Sequence, residues 1–139
     1  MEEGTPSAAE VVRELSAAWN AEDQERQAQV LDPDVVQHGT RGGIDEGRVI
    51  RGREAVLEYW EDVGDTWQSL SFELERLIEG ADVAIAFWRE TARSRHSDLA
   101  IGYDTASVFR VRDGRIVEMT GYLDREEALQ AAGLGATDL

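Results

Sequence analysis

The 139-residue chain contains no cysteine and no lysine, and it has only two histidines, His38 and His96. Without cysteine there is no disulfide framework and no thiolate chemistry. Without lysine, Schiff-base chemistry has no side-chain amine to use. The two histidines show neither HExxH nor HxH spacing, so the sequence predicts no metal site and no cofactor.

Positive charge is also scarce. All 14 basic residues are arginines, and they are outnumbered by 29 acidic residues, which gives a net charge of −15. Phosphate backbones and anionic membrane surfaces are bound by clustered cations, so we expect no nucleic-acid partner and no membrane. No apolar run reaches spanning length, and the acidic start MEEGTPSAAE does not read as a signal peptide. We expect a cytoplasmic protein, and the Ala/Gly/Arg-rich composition suggests a high-GC bacterial genome.

The first part of the chain has helical periodicity. Ser7 and Glu10 have the spacing of a capping box, and Thr5-Pro6 is an alternative helix start. The apolar stripe of this first helix is Ala8, Val12, Leu15 and Trp19. A second, shorter helix is predicted from Asn20 or Asp23 through Leu31, ending at Asp32-Pro33.

The middle of the chain is predicted to hold a short strand, a loop and a third helix. DVVQH (34–38) is the strand, and residues 39–52, with five of the thirteen glycines, are predicted to be a loop. REAVLEYWEDV (53–63) is the third helix. Its apolar side carries Val56, Tyr59, Trp60 and Val63.

From about residue 68 the apolar period changes to two, which is typical of strands. Four strands are predicted, separated by Gly80-Ala81-Asp82, by the polar RSRHSD stretch and by Asp113-Gly114. A last short helix, REEALQAAGLG, is predicted to stop at Gly133. Helices first and an antiparallel meander afterwards indicate an α+β fold with helices on one face of a curved sheet. Aromatic and polar residues on both strand faces suggest a partner subunit on the other face.

This order of elements, with three short motifs, resembles the nuclear transport factor 2-like superfamily, and its SnoaL-like branch in particular. The motifs are GREAV at the start of the third helix, the DGRIVE hairpin, and Tyr-x-Asp before the last helix. The resemblance covers residues 8–134. It implies a cone-shaped α+β barrel whose sheet wraps around a mostly apolar pocket, as a homodimer. We expect one domain over 1–139, with residues 1–6 and 135–139 flexible.

Asp124 is the first candidate catalytic residue. It matches the aspartate that acts as general acid/base in SnoaL-like cyclases, at the end of the last strand. A carboxyl in that role transfers a proton at a carbon next to a carbonyl and needs an apolar wall that raises its pKa. The alternative is structural, because Asp124 and Glu127 form the capping box of the last helix. Base rates favour the cap over catalysis.

His38 is the second catalytic candidate, since SnoaL-like sequences often carry a histidine near the pocket mouth. In that position it would orient a ligand carbonyl or relay a proton. The alternative is that His38 lies at a solvent-facing strand end without a role in the pocket. His96, in the charged hairpin, is expected at the surface. The hydroxyls of Tyr122 and Tyr103 are candidates to donate hydrogen bonds to a ligand carbonyl. The alternative is that these tyrosines are core residues whose hydroxyls are satisfied within the protein.

Five further residues are candidates for ligand binding. Phe87 and Arg89 share one strand face, while Trp88 and Glu90 share the other; Arg89 either pairs with Glu90 or meets an acidic ligand. Tyr103, Thr105, Ser107 and Phe109 share a face of the next strand. Four of the five are aromatic candidates for the cavity wall or the core, namely Trp19, Tyr59, Trp60 and Phe87, and the fifth is Arg89. Trp88 is also expected to lie on the cavity wall or in the core.

The resemblance to known enzymes of the superfamily is incomplete. The strand that precedes the last one, LAIGYDTASVFRVRDG, lacks the histidine that pairs with the terminal aspartate in the cyclases. Asp45 lies in the loop that carries the base of ketosteroid isomerases, but GGIDEGRVIRG does not reproduce their motif, and no strand interior holds the Arg-x-Asp pair of epoxide hydrolases. We therefore expect a pocket for a small apolar or carbonyl-containing molecule. The alternatives are cyclase- or isomerase-type proton transfer, and a dimeric interaction domain whose pocket is filled by its own side chains.

Overall fold

The computed structural model of the protein describes residues 5–66, 69–94 and 100–133. Its elements in chain order are α1 (Ala8–Asn20), α2 (Gln24–Gln29), β1 (Leu31–Arg41), β2 (Val49–Arg51), α3 (Arg53–Thr66), β3 (Ser69–Gly80), β4 (Val83–Arg93), β5 (Ala100–Arg112), β6 (Arg115–Tyr122) and α4 (Arg125–Ala131). The α+β class is confirmed. His96, residues 1–4 and residues 135–139 lie outside the described residues, and so do the predictions made for them.

The first two helices begin where their capping residues predict. Ser7 accepts from the Glu10 backbone N–H while the Glu10 carboxylate accepts from the Ser7 N–H, which completes the capping box. Asp23, rather than Asn20, caps α2. The prediction that this helix runs to Leu31 is wrong, because Leu31 already pairs with Ile116 as the first residue of β1.

The sheet has six strands in the order β2-β1-β6-β5-β4-β3. The antiparallel meander of β3 to β6 is confirmed, and Asp113 and Gly114 turn its last hairpin with positive φ values of 53° and 77°. The β1–β6 pair was not predicted: β1 runs parallel to β6, with His38 aligned to Thr120. This pair joins the two ends of the chain in one curved sheet.

The predicted loop 39–52 is in fact a hairpin. β1 continues to Arg41, and β2 returns antiparallel to it, with Gln37 opposite Ile50. The Gly39 N–H donates to the Arg48 carbonyl over 2.8 Å, which extends the pairing toward the turn. Gly39 also packs against backbone, since a Cβ there would lie 1.8 Å from the Asp45 carbonyl oxygen. The glycines therefore allow close packing here rather than an open loop.

The two faces of the sheet are covered differently. The inner face packs on α1 and α3 in the main core, which includes Val12, Val56 and Trp88. The outer face carries a second apolar cluster, in which Phe87 and Val108 pack with Leu129 of α4. The last helix of the same chain thus covers part of the face for which a partner subunit was expected.

Arg125 attaches α4 to the outer face. Its guanidinium donates to the Trp88 carbonyl over 3.0 Å and the Thr105 carbonyl over 3.3 Å, and it pairs with Glu75 over 2.6 Å. It also lies 4.7 Å from the centroid of the Phe87 ring. One planar cation therefore contacts three strands and holds the segment after β6 in place.

Candidate functional site

A cavity of about 810 Å³ lies between the inner face of the sheet, α1, α3 and the β1–β2 turn. Its wall is mainly apolar and aromatic, with a few polar groups. The residues that line it include Trp19, His38, Asp45, Tyr59, Trp60, Phe72, Trp88, Glu90, Tyr103 and Thr105. Fully exposed Ile44, in the β1–β2 turn, also borders the cavity and so marks its mouth. A cleft of this size and lining is typical of small-molecule sites.

Glu90 is the carboxyl on the sheet wall of this cavity. It lies on β4 between Phe72 of β3 and Tyr103 of β5, its partners in register. Thr105 Oγ1 donates to Glu90 Oε2 over 2.5 Å, and the Tyr103 hydroxyl is 3.4 Å from Oε1. Two neutral hydroxyls thus orient a carboxyl group that is set among aromatic rings.

Burial changes the acidity of this pair. It raises the pKa of Glu90 above its ordinary value of 4.5, and the hydrogen bonds from Thr105 and Tyr103 partly oppose the rise. Burial also raises the pKa of the Tyr103 phenol above 10.0, and the negative charges of Glu90 and Asp45 raise it further. Tyr103 therefore stays a protonated donor at neutral pH, while Glu90 is a weaker acid than a surface glutamate.

The raised pKa of Glu90 predicts how stability depends on pH. The folded state binds this proton more tightly than the unfolded state, so the Glu90 contribution to stability falls as pH rises from about 4.5 through the raised pKa. We expect Glu90→Gln to gain stability relative to the wild type across that window and to level off above it. Urea unfolding from pH 4 to 8 measures this. The control is Asp104→Asn, an exposed carboxylate on the outer face paired with Arg89; an equal gain there would contradict the assignment.

A second carboxyl, Asp45, borders the cavity from the β1–β2 turn. Its Oδ2 accepts from the Tyr59 hydroxyl over 2.9 Å, and its Oδ1 accepts from the Thr40 N–H over 3.2 Å. Arg48 lies 4.7 Å from the centroid of the Tyr59 ring. Burial and the Asp45 charge raise the pKa of Tyr59 above 10.0. These contacts tie the turn to α3 across the mouth.

His38 also borders the cavity, with its Nε2 2.9 Å from Glu118 Oε2. The side chain is about one-third exposed, and the carboxylate fixes the orientation of the ring. Glu118 itself pairs with Arg110 over 3.6 Å. His38 is therefore placed at the cavity, and it is already engaged by a carboxylate.

The structure brings six of the nine predicted site residues to the cavity. They are Trp19, His38, Tyr59, Trp60, Tyr103 and Tyr122. Of these, Tyr122 is the most buried and also packs in the outer cluster, and burial raises its pKa above 10.0. The other three, Phe87, Arg89 and Asp124, are not among the residues that line it.

Phe87 and Arg89 project to the outer face, because alternate residues of β4 point to opposite sides of the sheet. Phe87 packs under α4, and Arg89 pairs with Asp104 over 3.1 Å. The expected ion pair between Arg89 and Glu90 is therefore wrong. Glu90 faces the cavity instead, and the sequence prediction did not include it among the site residues.

Asp124 is placed as the cap of α4. Its Oδ1 accepts from the backbone N–H of Glu126 over 2.9 Å and of Glu127 over 3.3 Å, and the residue is exposed. The capping interpretation is confirmed. Both of these bonds go to the helix start, and Asp124 is not among the residues that line the cavity. The acid/base role that the resemblance implied stays a prediction.

Asp124→Ala should lower the free energy of unfolding by about 1 kcal/mol, because α4 loses its N-cap. Asp124→Ser, which keeps a capping oxygen, should cost much less. Urea unfolding of both variants measures the difference. Equal losses in the two variants would show that the carboxylate does something other than cap the helix.

Residues 12–119 match the SnoaL-like domain family. The chain belongs to the SnoaL-like family. That match contains Glu90, Tyr103 and Thr105 and ends before α4. No curated protein sequence matches the SnoaL-like chain.

Solved structures share the fold of this SnoaL-like chain at low sequence identity. A ketosteroid isomerase-like fold from Catenulispora acidiphila DSM 44928, in complex with trimethylamine, has 17% identity and a TM-score of 0.73, covering 96% of this chain and 98% of its own. TerC, co-crystallised with polyporic acid, has 19% identity and a TM-score of 0.74, and the match covers 91% of this chain and 96% of TerC. IdmH, a putative polyketide cyclase from Streptomyces antibioticus, has 20% identity and a TM-score of 0.73, and the match covers 93% of this chain and 100% of IdmH. At this identity the likeness establishes the nuclear transport factor 2-like fold.

Two structural findings bear on other kinds of site. Within residues 5–66, 69–94 and 100–133, no group of three or more His, Asp or Glu side chains is arranged to hold a metal ion. In the same part of the SnoaL-like chain, no helix has the length and apolar character needed to span a membrane.

Proposed function

We propose that the protein binds a small, largely apolar molecule in the cavity between the sheet, α1 and α3. The observation that carries this proposal is a cavity of about 810 Å³ with an aromatic wall and few polar groups. A cleft above roughly 300 Å³ is large enough for a drug-sized ligand, which argues against a pocket filled by its own side chains.

The contacts of the wall support binding of an apolar body. Trp60 Nε1 donates to Gln37 over 2.8 Å, and Trp88 Nε1 donates to Ser107 over 3.1 Å. The indole N–H groups are satisfied within the protein, so the rings offer apolar surface. Two relatives of the same fold were crystallised with small molecules, trimethylamine and polyporic acid, which agrees with this use of the fold. The homodimer and the cytoplasmic location stay predictions.

Blocking the cavity should abolish binding without unfolding the protein. Ser16 borders the cavity from α1, whereas its neighbour Ala17 is exposed on the same helix. We expect Ser16→Trp to lose binding of 3-tert-butylphenol, an apolar probe, by roughly tenfold or more, because the indole fills the space. Ala17→Trp adds the same group on the solvent side and should bind like the wild type. Titration calorimetry measures both; unchanged binding in Ser16→Trp would refute the proposal.

We further propose proton transfer at a carbon next to a carbonyl as the second candidate, with Glu90 as the base. Its raised pKa, caused by burial on the cavity wall, favours this role. The C–H bond breaks, Glu90 takes the proton, and the electron pair moves to the carbonyl oxygen as an enolate. A phenol that stays protonated, such as Tyr103, then stabilises the oxygen. The proton on the Glu90 carboxyl exchanges with solvent, and transfer of a solvent proton from Glu90 back to carbon restores the ketone and the carboxylate.

A further inference from the structure

The charge on Glu90 has no cationic partner among the residues that the structure describes. Its two hydrogen-bond partners, Thr105 and Tyr103, are neutral hydroxyls. The nearest arginine along the chain, Arg89, points to the opposite face and pairs with Asp104. A half-buried carboxylate without a counter-ion is costly, and a cation that enters the cavity would offset that cost.

The other charged groups around the cavity are already engaged. Glu46 pairs with Arg41 over 3.3 Å, and His38 pairs with Glu118 over 2.9 Å. Arg48 lies over the Tyr59 ring rather than against Glu90. Asp45 accepts from Tyr59 and Thr40, neither of which carries charge. Glu90 and Asp45 therefore leave the cavity with negative charge that its own cations do not neutralise.

An aromatic cluster shares the wall with these carboxyls. Trp19 meets Trp60 and Phe72 edge to face, with ring centroids 6.0 and 5.3 Å apart, and Phe72 meets Trp88 in the same way at 6.1 Å. Phe72 is also the neighbour of Glu90 in register on β3. Electron-rich ring faces attract weakly hydrated cations such as substituted ammonium groups, and a desolvated site strengthens that attraction.

We propose that the ligand carries a substituted ammonium group, held by the aromatic cluster with the Glu90 carboxylate as its counter-ion. This inference rests on the proposed binding function and narrows its ligand class to apolar amines that are positively charged at neutral pH. A neutral molecule of the same shape fills the same cavity but leaves Glu90 without a partner, and an anion meets repulsion from both carboxyls. Charge, rather than size, is therefore the property on which the cavity selects.

The test compares two probes that have the same shape and differ in charge: (3-hydroxyphenyl)trimethylammonium and 3-tert-butylphenol, in which carbon replaces the charged nitrogen. Titration calorimetry at neutral pH gives both dissociation constants for the wild type. We expect the ammonium probe to bind roughly tenfold more tightly. Glu90→Gln should remove most of that preference by weakening the binding of the ammonium probe.

Asp104→Asn is the matched control, because it removes one carboxylate from the outer face of the neighbouring strand. It should keep the full preference for the ammonium probe. Equal affinities of the two probes in the wild type, or a preference that survives in Glu90→Gln, would overturn the inference while the binding function stands. If neither probe binds, the proposed binding function fails and this inference fails with it.

Discussion

Glu90→Gln should slow the exchange of an α-proton with solvent deuterium by roughly 100-fold or more, the usual loss when a positioned general base is removed. Glutamine keeps the size of the side chain and still accepts from Thr105, which now donates to the carboxylate over 2.5 Å. The substitution therefore removes the base with little change in the shape of the wall. Proton NMR of a panel of cyclic and aromatic ketones in deuterium oxide measures the exchange rate.

The pH profile identifies the group responsible. Wild-type exchange should rise with pH and reach its plateau above the ordinary 4.5 of a glutamate, because burial raises the Glu90 pKa. The neighbouring Tyr103 and Tyr59 titrate above 10.0, well outside that range. Asp45, in the β1–β2 turn, is another carboxyl that borders the cavity, so Asp45→Asn is measured in parallel. A full loss in Asp45→Asn with normal exchange in Glu90→Gln would move the role to Asp45.

Gly39→Ala should lower the free energy of unfolding by about 2 kcal/mol or more and should also weaken ligand binding. A Cβ at this position would lie 1.8 Å from the Asp45 carbonyl oxygen and 2.7 Å from its carbon. Both atoms belong to backbone, so the turn itself must move. The displacement would also break the 2.9 Å bond from Tyr59 to Asp45, which ties the mouth to α3.

Gly64→Ala is the control for this second prediction. Gly64 lies in α3, and an added Cβ there would meet nothing within 4 Å. Alanine favours the helix over glycine by up to about 1 kcal/mol, so this variant should be slightly more stable than the wild type. Urea unfolding and titration with 3-tert-butylphenol are measured on both variants. Normal stability and binding in Gly39→Ala would show that the β1–β2 turn is not held as described.

Local pattern was enough to predict most elements of this fold. Caps and periodicity placed α1, α3 and the four strands of the meander, because those signals lie within each segment. The β1–β6 pair escaped prediction because its residues are far apart in the chain: the side chains of His38 and Glu118, which meet across the pair, are separated by 80 positions. The sequence of neither strand indicates which strand it pairs with. The 39–52 hairpin escaped because glycines that permit backbone contact look the same in sequence as glycines in an open loop.

The candidate site was harder to predict than the fold. In the middle of β4 one face carries Phe87 with Arg89 and the other carries Trp88 with Glu90, so composition does not mark the inner face. The register between β4 and β5 shows which face is the inner one, since Glu90 lies opposite Tyr103, a residue of the cavity wall. The shared face of Tyr103 and Thr105 was recognised from sequence and was the available signal. The role of Asp124 was ambiguous in sequence, because an aspartate between the last strand and the last helix fits both a helix N-cap and a catalytic acid.

The parallel pairing of β1 with β6 also has a consequence for the order of folding. β1 leaves the ribosome early, yet its partner across the sheet is the last strand to be synthesised. The first three helices and the β3–β5 hairpins can form while translation continues, whereas the pairing of β1 with β6 must wait until β6 has been synthesised. Contacts this distant in sequence close slowly. During that wait the unpaired edge of β1 is open to other chains, so chaperones are most needed at this stage.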